Sequence, residues 1–307
     1  MVGDLFVPLH AKKENDMEKE QDSILQKDRS GRACISAGYR LYMSNFKRIF
    51  RYSWVAALVF AIVTSVSGTM MILRPKLALF SVVLMIIVEA LFASYGFAVL
   101  KQHQMTGAIS YSPKWLNLDV HIFVRTLKAW LNLIVIYIVV VGIVGGIAAL
   151  SAIYLSPYTA IAFTCLVGIL AFVILLPLAY TNMRYVLTDG IGYWKNLRER
   201  YGIGFRRWGF IFLVVFVTTL LISIFSLFTS LPAVILTIAN QAATIGYING
   251  DPLGMPSYIG WLAVVVFLLI GFLQAYVMLS FLFPIYYMYG SIDAHESERK
   301  EFNKPKV

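Results

Sequence analysis

Apolar residues in this chain fall into six long runs. They cover about Tyr52–Leu73, Leu77–Leu100, Trp130–Leu155, Tyr158–Tyr180, Trp208–Ala239 and Tyr258–Tyr289. None shows the one-sided stripe of a surface helix. Each is long enough to cross a bilayer, which takes roughly 20 mostly apolar residues. Short polar breaks separate the runs in pairs. Arg74-Pro75-Lys76 and Ser156-Pro157 are tight connections, and Asn240–Ser257 carries the turn residues Gly250, Pro252, Gly254 and Pro256. The pattern predicts an all-α polytopic membrane protein of six spans arranged as three hairpins. It divides the chain into a mobile polar tail over residues 1–38, a membrane domain over 39–290 and a charged C-terminal tail over 291–307.

Composition agrees. Hydrophobic residues make up 59% of the 307 residues and charged ones 14%, against about 45–50% and about 25% in soluble domains. Too few polar groups remain to cover a water-facing surface. The formal charge of +10 would suit a nucleic-acid partner in a soluble protein; here its distribution argues otherwise. All but two of the 26 Lys and Arg residues lie in the termini, in the 101–129 connection or in the stretch Arg184–Trp208, which all fall on one side of a six-span topology. The two on the opposite side are Arg74 and Lys76. Positive charge is retained on the cytoplasmic side, so both termini are expected there, with no nucleic-acid partner. The N-terminal tail lacks a charged segment followed by an apolar one, so no cleavable signal is read, and Met17 offers an alternative start. Cys34 and Cys165 lie in different environments, so pairing is not expected and neither belongs to a metal motif.

The stretch Arg184–Trp208 (RYVLTDGIGYWKNLRERYGIGFRRW) organises this topology. It is basic and aromatic and lies between two spans, as in a loop on an anionic leaflet. Arg184, Lys195, Arg198, Arg206 and Arg207 are its candidate contacts to lipid headgroups. Similar approaches precede the other hairpins: NFKRIFRYSW ends at Trp54 and VRTLKAW at Trp130, as GFRRW ends at Trp208. The near-regular spacing suggests an internal repeat, each hairpin entered through a basic interfacial helix. Any three hairpins entered from the cytoplasm would also carry Lys, Arg and Trp there.

Paired spans with basic approaches, the MRYVLTDG end of the fourth span and the KNLRERYGIGFRRWGFIFLV re-entry resemble a diffuse group of bacterial six-span membrane proteins. That group includes the membrane domain found beside some glycerophosphodiester phosphodiesterases. The resemblance covers roughly residues 39–290 and implies a bacterial inner-membrane location. The phosphodiesterase domain itself does not occur in these residues.

Chemistry-bearing groups inside the spans are few. Glu89 is the only acid deep in a span, where a charge costs about 2.5–3.5 kcal/mol on insertion scales and so faces the bundle interior or a wet cavity. It is either a relay or counter-ion for a transported species, or an uncharged carboxyl bonded to a neighbouring helix, with Tyr95, Gln274 or Asn132 as partner. Gln274 is the second candidate of this intramembrane site, and Asn182 a weaker one. Pro177, Pro232 and Pro284 interrupt late spans, as in kinked packing helices or in the broken helices that line transporter sites. Gly142 and Gly146 would permit close helix approach.

No HExxH zinc motif, GxSxG nucleophile elbow or Gly-rich phosphate loop occurs. His103, His121 and Asp119 share one connection and are loosely metal-like, though a solvated loop explains them better. No cofactor or metal is expected, and the chain is read as non-enzymatic. The expectation is a scaffold or modulator of membrane-protein partners or of lipids; the alternative is a small transporter or channel using Glu89.

Overall fold

The computed structural model describes residues 25, 27–73, 76, 78–109, 119–154, 156–250, 256 and 258–302. Among these the protein is all-α: α1 (Gly31–Ser44), α2 (Phe46–Leu73), α3 (Ala78–Thr106), α4 (Val120–Tyr154), α5 (Pro157–Leu175), α6 (Leu178–Leu187), α7 (Tyr193–Arg206), α8 (Trp208–Ile248), α9 (Ile259–Ser280) and α10 (Leu282–Phe302). Six helical stretches are long and apolar enough to cross a membrane, two of them made of two helices in succession. Local chemistry sets several starts. Ser30 caps α1 by accepting from the Ala33 N–H, and Asp119 caps α4 by accepting from the N–H groups of His121 and Ile122. Ser156 followed by Pro157 opens α5, the proline taking a position whose N–H would have no helical partner.

Helix α2 makes the closest packing in the molecule, against α9 on one side and α3 on the other. At the α2–α9 crossing, a Cβ on Gly271 would stand 3.1 Å from the Ala61 Cα, so the small residue sets the approach. The centre of the molecule is α10, in which Phe283, Tyr286 and Met288 are fully buried. Helix α1 lies along it with Gly38 against the Pro284 backbone, and the Tyr42 hydroxyl donates to the Tyr276 carbonyl (2.9 Å). By contrast, α4 and α5 expose Ile138, Val141, Ile143, Ile161 and Ile169. Large apolar side chains facing outward along a whole hairpin fit lipid, not water.

Several sequence expectations change. Helix α1 starts at Gly31, inside the segment expected as a mobile tail, because Cys34, Gly38 and Tyr42 give it a face that packs on α10; residues 1–24 and 26 lie outside the described set. The C-terminal tail expected from 291 is, through Phe302, a continuation of α10 with Ser291, Ile292 and Ala294 buried. The fifth span does not stop near Ala239 but continues as helix to Ile248, and Pro232 lies inside it without ending it. Pro177 and the Phe281–Pro284 region do interrupt the fourth and sixth spans, separating α5 from α6 and α9 from α10.

The three basic approaches are not equivalent. Only GFRRW ends a separate helix, α7, with a break at Arg207; NFKRIFRYSW runs into α2 from Phe46 and VRTLKAW lies within α4. A different correspondence appears in its place. Both α1 and α7 are 14-residue helices, and each ends at a single residue of nearly the same conformation before a span begins: Asn45 (φ −108°, ψ 8°) and Arg207 (φ −105°, ψ 24°). The tryptophan alignment misses this by roughly two helical turns, because Trp54 lies inside its span and Trp208 at the start of one.

Candidate functional site

A cavity of about 790 Å³ opens among α3, α4, α6, α8, α9 and α10. Each helix presents one stripe to it at helical spacing: Glu89, Phe92, Ala93 and Phe97 from α3; Thr126, Ala129, Trp130, Leu133 and Tyr137 from α4; Ala179, Asn182, Met183 and Val186 from α6; Thr219, Ile222, Ser223 and Ser226 from α8. Gln274 and Met278 of α9 and Leu282 and Ile285 of α10 complete the wall. Both helix discontinuities border it, since Phe281 lines it and Ala179 follows Pro177 by two residues.

Three polar residues singled out in the sequence, Glu89, Gln274 and Asn182, therefore meet at one cavity although they come from three different spans. Gln274 is held in place: its amide donates to the Ser226 Oγ (2.6 Å) and its carbonyl accepts from the Thr229 hydroxyl (3.3 Å). Glu89 has no hydrogen-bond or ion-pair partner among the described residues, so the expected bond to Tyr95, Gln274 or Asn132 is not made. Tyr95 instead packs edge-on against Tyr52, and the Asn132 amide donates to the Lys128 carbonyl (2.7 Å) on its own helix. The Asn182 Oδ1 is likewise buried without a donor. Among the described residues no Lys, Arg or His lines the cavity. The wall is thus apolar with one carboxyl, an unpaired amide oxygen and a set of neutral donors and acceptors, without a cationic side chain.

Below the cavity the helices are locked together. The Tyr180 hydroxyl donates to Asp293 Oδ1 (2.6 Å), and Arg184 Nε stands 3.9 Å from Asp293 Oδ2, joining α6 to α10. Arg125 of α4 is buried and gives its Nη2 to the carbonyls of Tyr185, Thr188 (2.6 Å) and Ile191 (3.5 Å), with its guanidinium 4.4 Å from the Tyr185 ring centroid. It thereby satisfies carbonyls at the C-terminal end of α6, which have no helical partner. Gly190 (φ 75°) turns the chain just beyond. Beside it Lys101 Nζ holds both oxygens of Asp189 (2.9 and 2.7 Å). These hydrogen bonds hold the Asp189 carboxyl below its ordinary value.

The candidate headgroup residues separate into different roles. Lys195 and Arg198 are exposed on α7 beside the exposed Trp194, while Phe205 and Arg206 continue that face about two to three turns on. Arg206 also approaches Glu296 (3.9 Å). Arg207 turns inward to a smaller cleft shared with Asp28, Arg29, Ser291 and His295. Arg184 is mostly buried against Asp293 rather than extended to a membrane surface: α10 continues past the span and brings a carboxylate to it. On the opposite face of α7 the buried Asn196 donates to the Thr181 carbonyl of α6 (2.8 Å), while Tyr201, stacked on Phe205, donates to the Ile174 carbonyl near the end of α5 (2.7 Å). The loosely metal-like trio does not converge. His103 Nδ1 lies 3.0 Å from the Tyr286 hydroxyl, His121 approaches Asp189 (3.6 Å), and Asp119 caps α4.

Sequence reasoning missed Arg125 and Asp293, which read as surface charges of a loop and a tail. Their short distance in sequence from Trp130 and Tyr289, at the ends of apolar runs, was the available signal. No protein-family model matches the chain, and no curated protein and no solved structure matches it.

Proposed function

We propose that this protein is a non-enzymatic carrier that binds a small lipophilic solute in the cavity at Glu89 and passes it across or out of the membrane. The observation that supports this most is the unpartnered Glu89 on a cavity of ligand size. Pockets for small molecules run to about 300–1,000 Å³, mostly apolar with a few placed polar groups. An ionisable residue at membrane depth without a protein partner is a functional-site signal. The two interrupted spans beside the cavity resemble the discontinuous helices that border transporter sites. By the distribution of Lys and Arg we orient α7 and both termini toward the cytoplasm, and the family resemblance suggests a bacterial inner membrane.

Flux in proteoliposomes tests this reading. A panel of lipophilic solutes is compared between the wild type and Ala93→Phe, which fills the cavity without adding charge. A solute whose flux needs the protein and is lost in Ala93→Phe, with unfolding temperature preserved, supports it. Flux that is absent throughout, or unchanged in the variant, contradicts it.

A second reading, a modulator of lipids or membrane-protein partners, is favoured by one observation. Trp194 and Phe205 are 60% and 49% exposed on the same helix as Lys195, Arg198 and Arg206. An aromatic and cationic face of this kind suits anionic headgroups. It predicts anionic lipid that co-purifies with the wild type and is lost when Lys195 and Arg198 are replaced by Gln.

A further inference from the structure

We propose that the cavity selects a lipophilic monovalent cation drawn sideways from the lipid phase, with Glu89 as its counter-ion. This rests on the carrier reading above and names its substrate class.

Charge complementarity gives the selectivity. Among the lining residues Glu89 is the one carboxyl and no Lys, Arg or His is present; the other polar groups are the amides of Asn182 and Gln274, the Trp130 indole N–H and the hydroxyls of Thr126, Tyr137, Thr219, Ser223 and Ser226, none of which carries a positive charge. Gln274 and Ser226 already bond each other, and the Thr126 hydroxyl donates to the Ile122 carbonyl (2.8 Å). Among the described residues Glu89 and Asn182 Oδ1 are left as acceptors without a donor. An anion entering this space would meet a carboxylate and no cation. A neutral apolar molecule would gain burial but leave Glu89 unpaired. A cation with an apolar body gains burial along Phe60, Phe92, Phe97 and Trp130 and pairs the carboxylate, and aromatic faces add to cation binding.

Packing of the helices supplies the route. Helices α4 and α8 both line the cavity but have different neighbours: α4 packs on α3, α5 and α6, and α8 chiefly on α9, α1 and α10. Tyr137 of α4 lines the cavity and is 53% exposed. Phe172 of α5 packs edge-on against Phe212 of α8 (centroids 6.4 Å apart), outside the cavity lining. Below, the Tyr180–Asp293–Arg184 cluster joins α6 to α10. A solute dissolved in the bilayer thus reaches Glu89 between α4 and α8 without crossing that cluster.

The test uses the full chain in lipid nanodiscs and three probes: tetraphenylphosphonium and tetraphenylborate, which match in shape and differ in charge sign, and the smaller, neutral triphenylphosphine. Each is titrated calorimetrically with empty nanodiscs subtracted, against the wild type, Glu89→Gln and Glu89→Asp. The expected result is saturable one-to-one binding of the phosphonium, at least tenfold weaker in Glu89→Gln and largely kept in Glu89→Asp. Tetraphenylborate should show no saturable binding, and phosphine binding should change less than threefold between the variants. The comparison of cation with anion on the wild type stands even if a variant fails to fold. Borate binding as tight as the phosphonium, or phosphonium binding indifferent to Glu89→Gln, overturns the proposal. Saturable binding of the phosphine alone overturns the cation while leaving the carrier reading intact; no saturable binding of any probe removes support from both.

Discussion

Replacing Gly38 by Ala adds one methyl group where α1 crosses α10. That Cβ would stand 2.5 Å from Pro284 N, 2.6 Å from Pro284 Cα and 2.7 Å from Phe283 C. All three are backbone atoms of buried residues, so no side chain can swing aside. Restoring ordinary contact requires the helices to part by about 1 Å, which forfeits a substantial part of the dispersion contacts along the seam. Overpacking a well-filled interior costs about 1–3 kcal/mol, and backbone against backbone belongs at or above the upper end. Alanine's better helix propensity returns about 1 kcal/mol. The expected net loss is about 2 kcal/mol. Cys34 reports it: the thiol is fully buried on the same helix, and burial pushes it up to about 11, so maleimide should label it slowly at neutral pH. In a Cys165→Ser background, Gly38→Ala should lower the unfolding temperature and speed labelling about 30-fold, the population change that such a loss implies. Gly142→Ala is the control, because nothing lies within 4 Å of its added Cβ; it should be neutral or slightly stabilising. Equal stability and equal labelling of Gly38→Ala and wild type would refute the α1–α10 packing.

Other substitutions test the remaining contacts. Arg125→Met should cost about 2–4 kcal/mol, since it strips charge-assisted hydrogen bonds from three carbonyls in one step; limited proteolysis should then cleave near Gly190, and Arg125→Lys should not restore protection. Gln274→Leu should cost about 1 kcal/mol by breaking the Ser226 and Thr229 bonds between α8 and α9, read as a fall in unfolding temperature. The Lys101 hydrogen bonds lower the Asp189 carboxyl relative to the unfolded chain, so their stabilisation is present above the unfolded value near pH 4 and is lost as pH falls through the folded value. Asp189 is half exposed and screened by solvent. The effect is therefore a small acid-side loss of stability, absent in Lys101→Met, measured by unfolding between pH 5 and pH 3.

The six spans were legible because burial in lipid leaves a signal in one dimension: long apolar runs with no regular polar stripe. The polar members of the site were legible for the same reason. A carboxylate such as Glu89, or an amide such as Gln274, stands out wherever the neighbours are Ile, Leu and Phe. What one dimension does not carry is which spans meet. That Asn182, Gln274 and Glu89 face one cavity depends on helix rotation and on the breaks at Pro177 and Phe281. The ends of the helices were misread where charge sits beside a buried face. Residues 291–302 look like a solvated tail because Asp293, Glu296 and Arg299 dominate the eye, yet Ile292 and Ala294 pack on the bundle while Asp293 is consumed by Tyr180 and Arg184. Arg184 was likewise expected at a headgroup because its carboxylate partner is more than a hundred residues away.

The most direct test of the central claim is an electron cryo-microscopy map of the protein in native-lipid nanodiscs, resolved around Glu89. The carrier account predicts an open cavity bounded by Trp130, Asn182 and Gln274, with non-protein density within hydrogen-bonding distance of the Glu89 carboxylate. Helices closed over a dry interior, with Glu89 bonded to a neighbouring side chain, would contradict it.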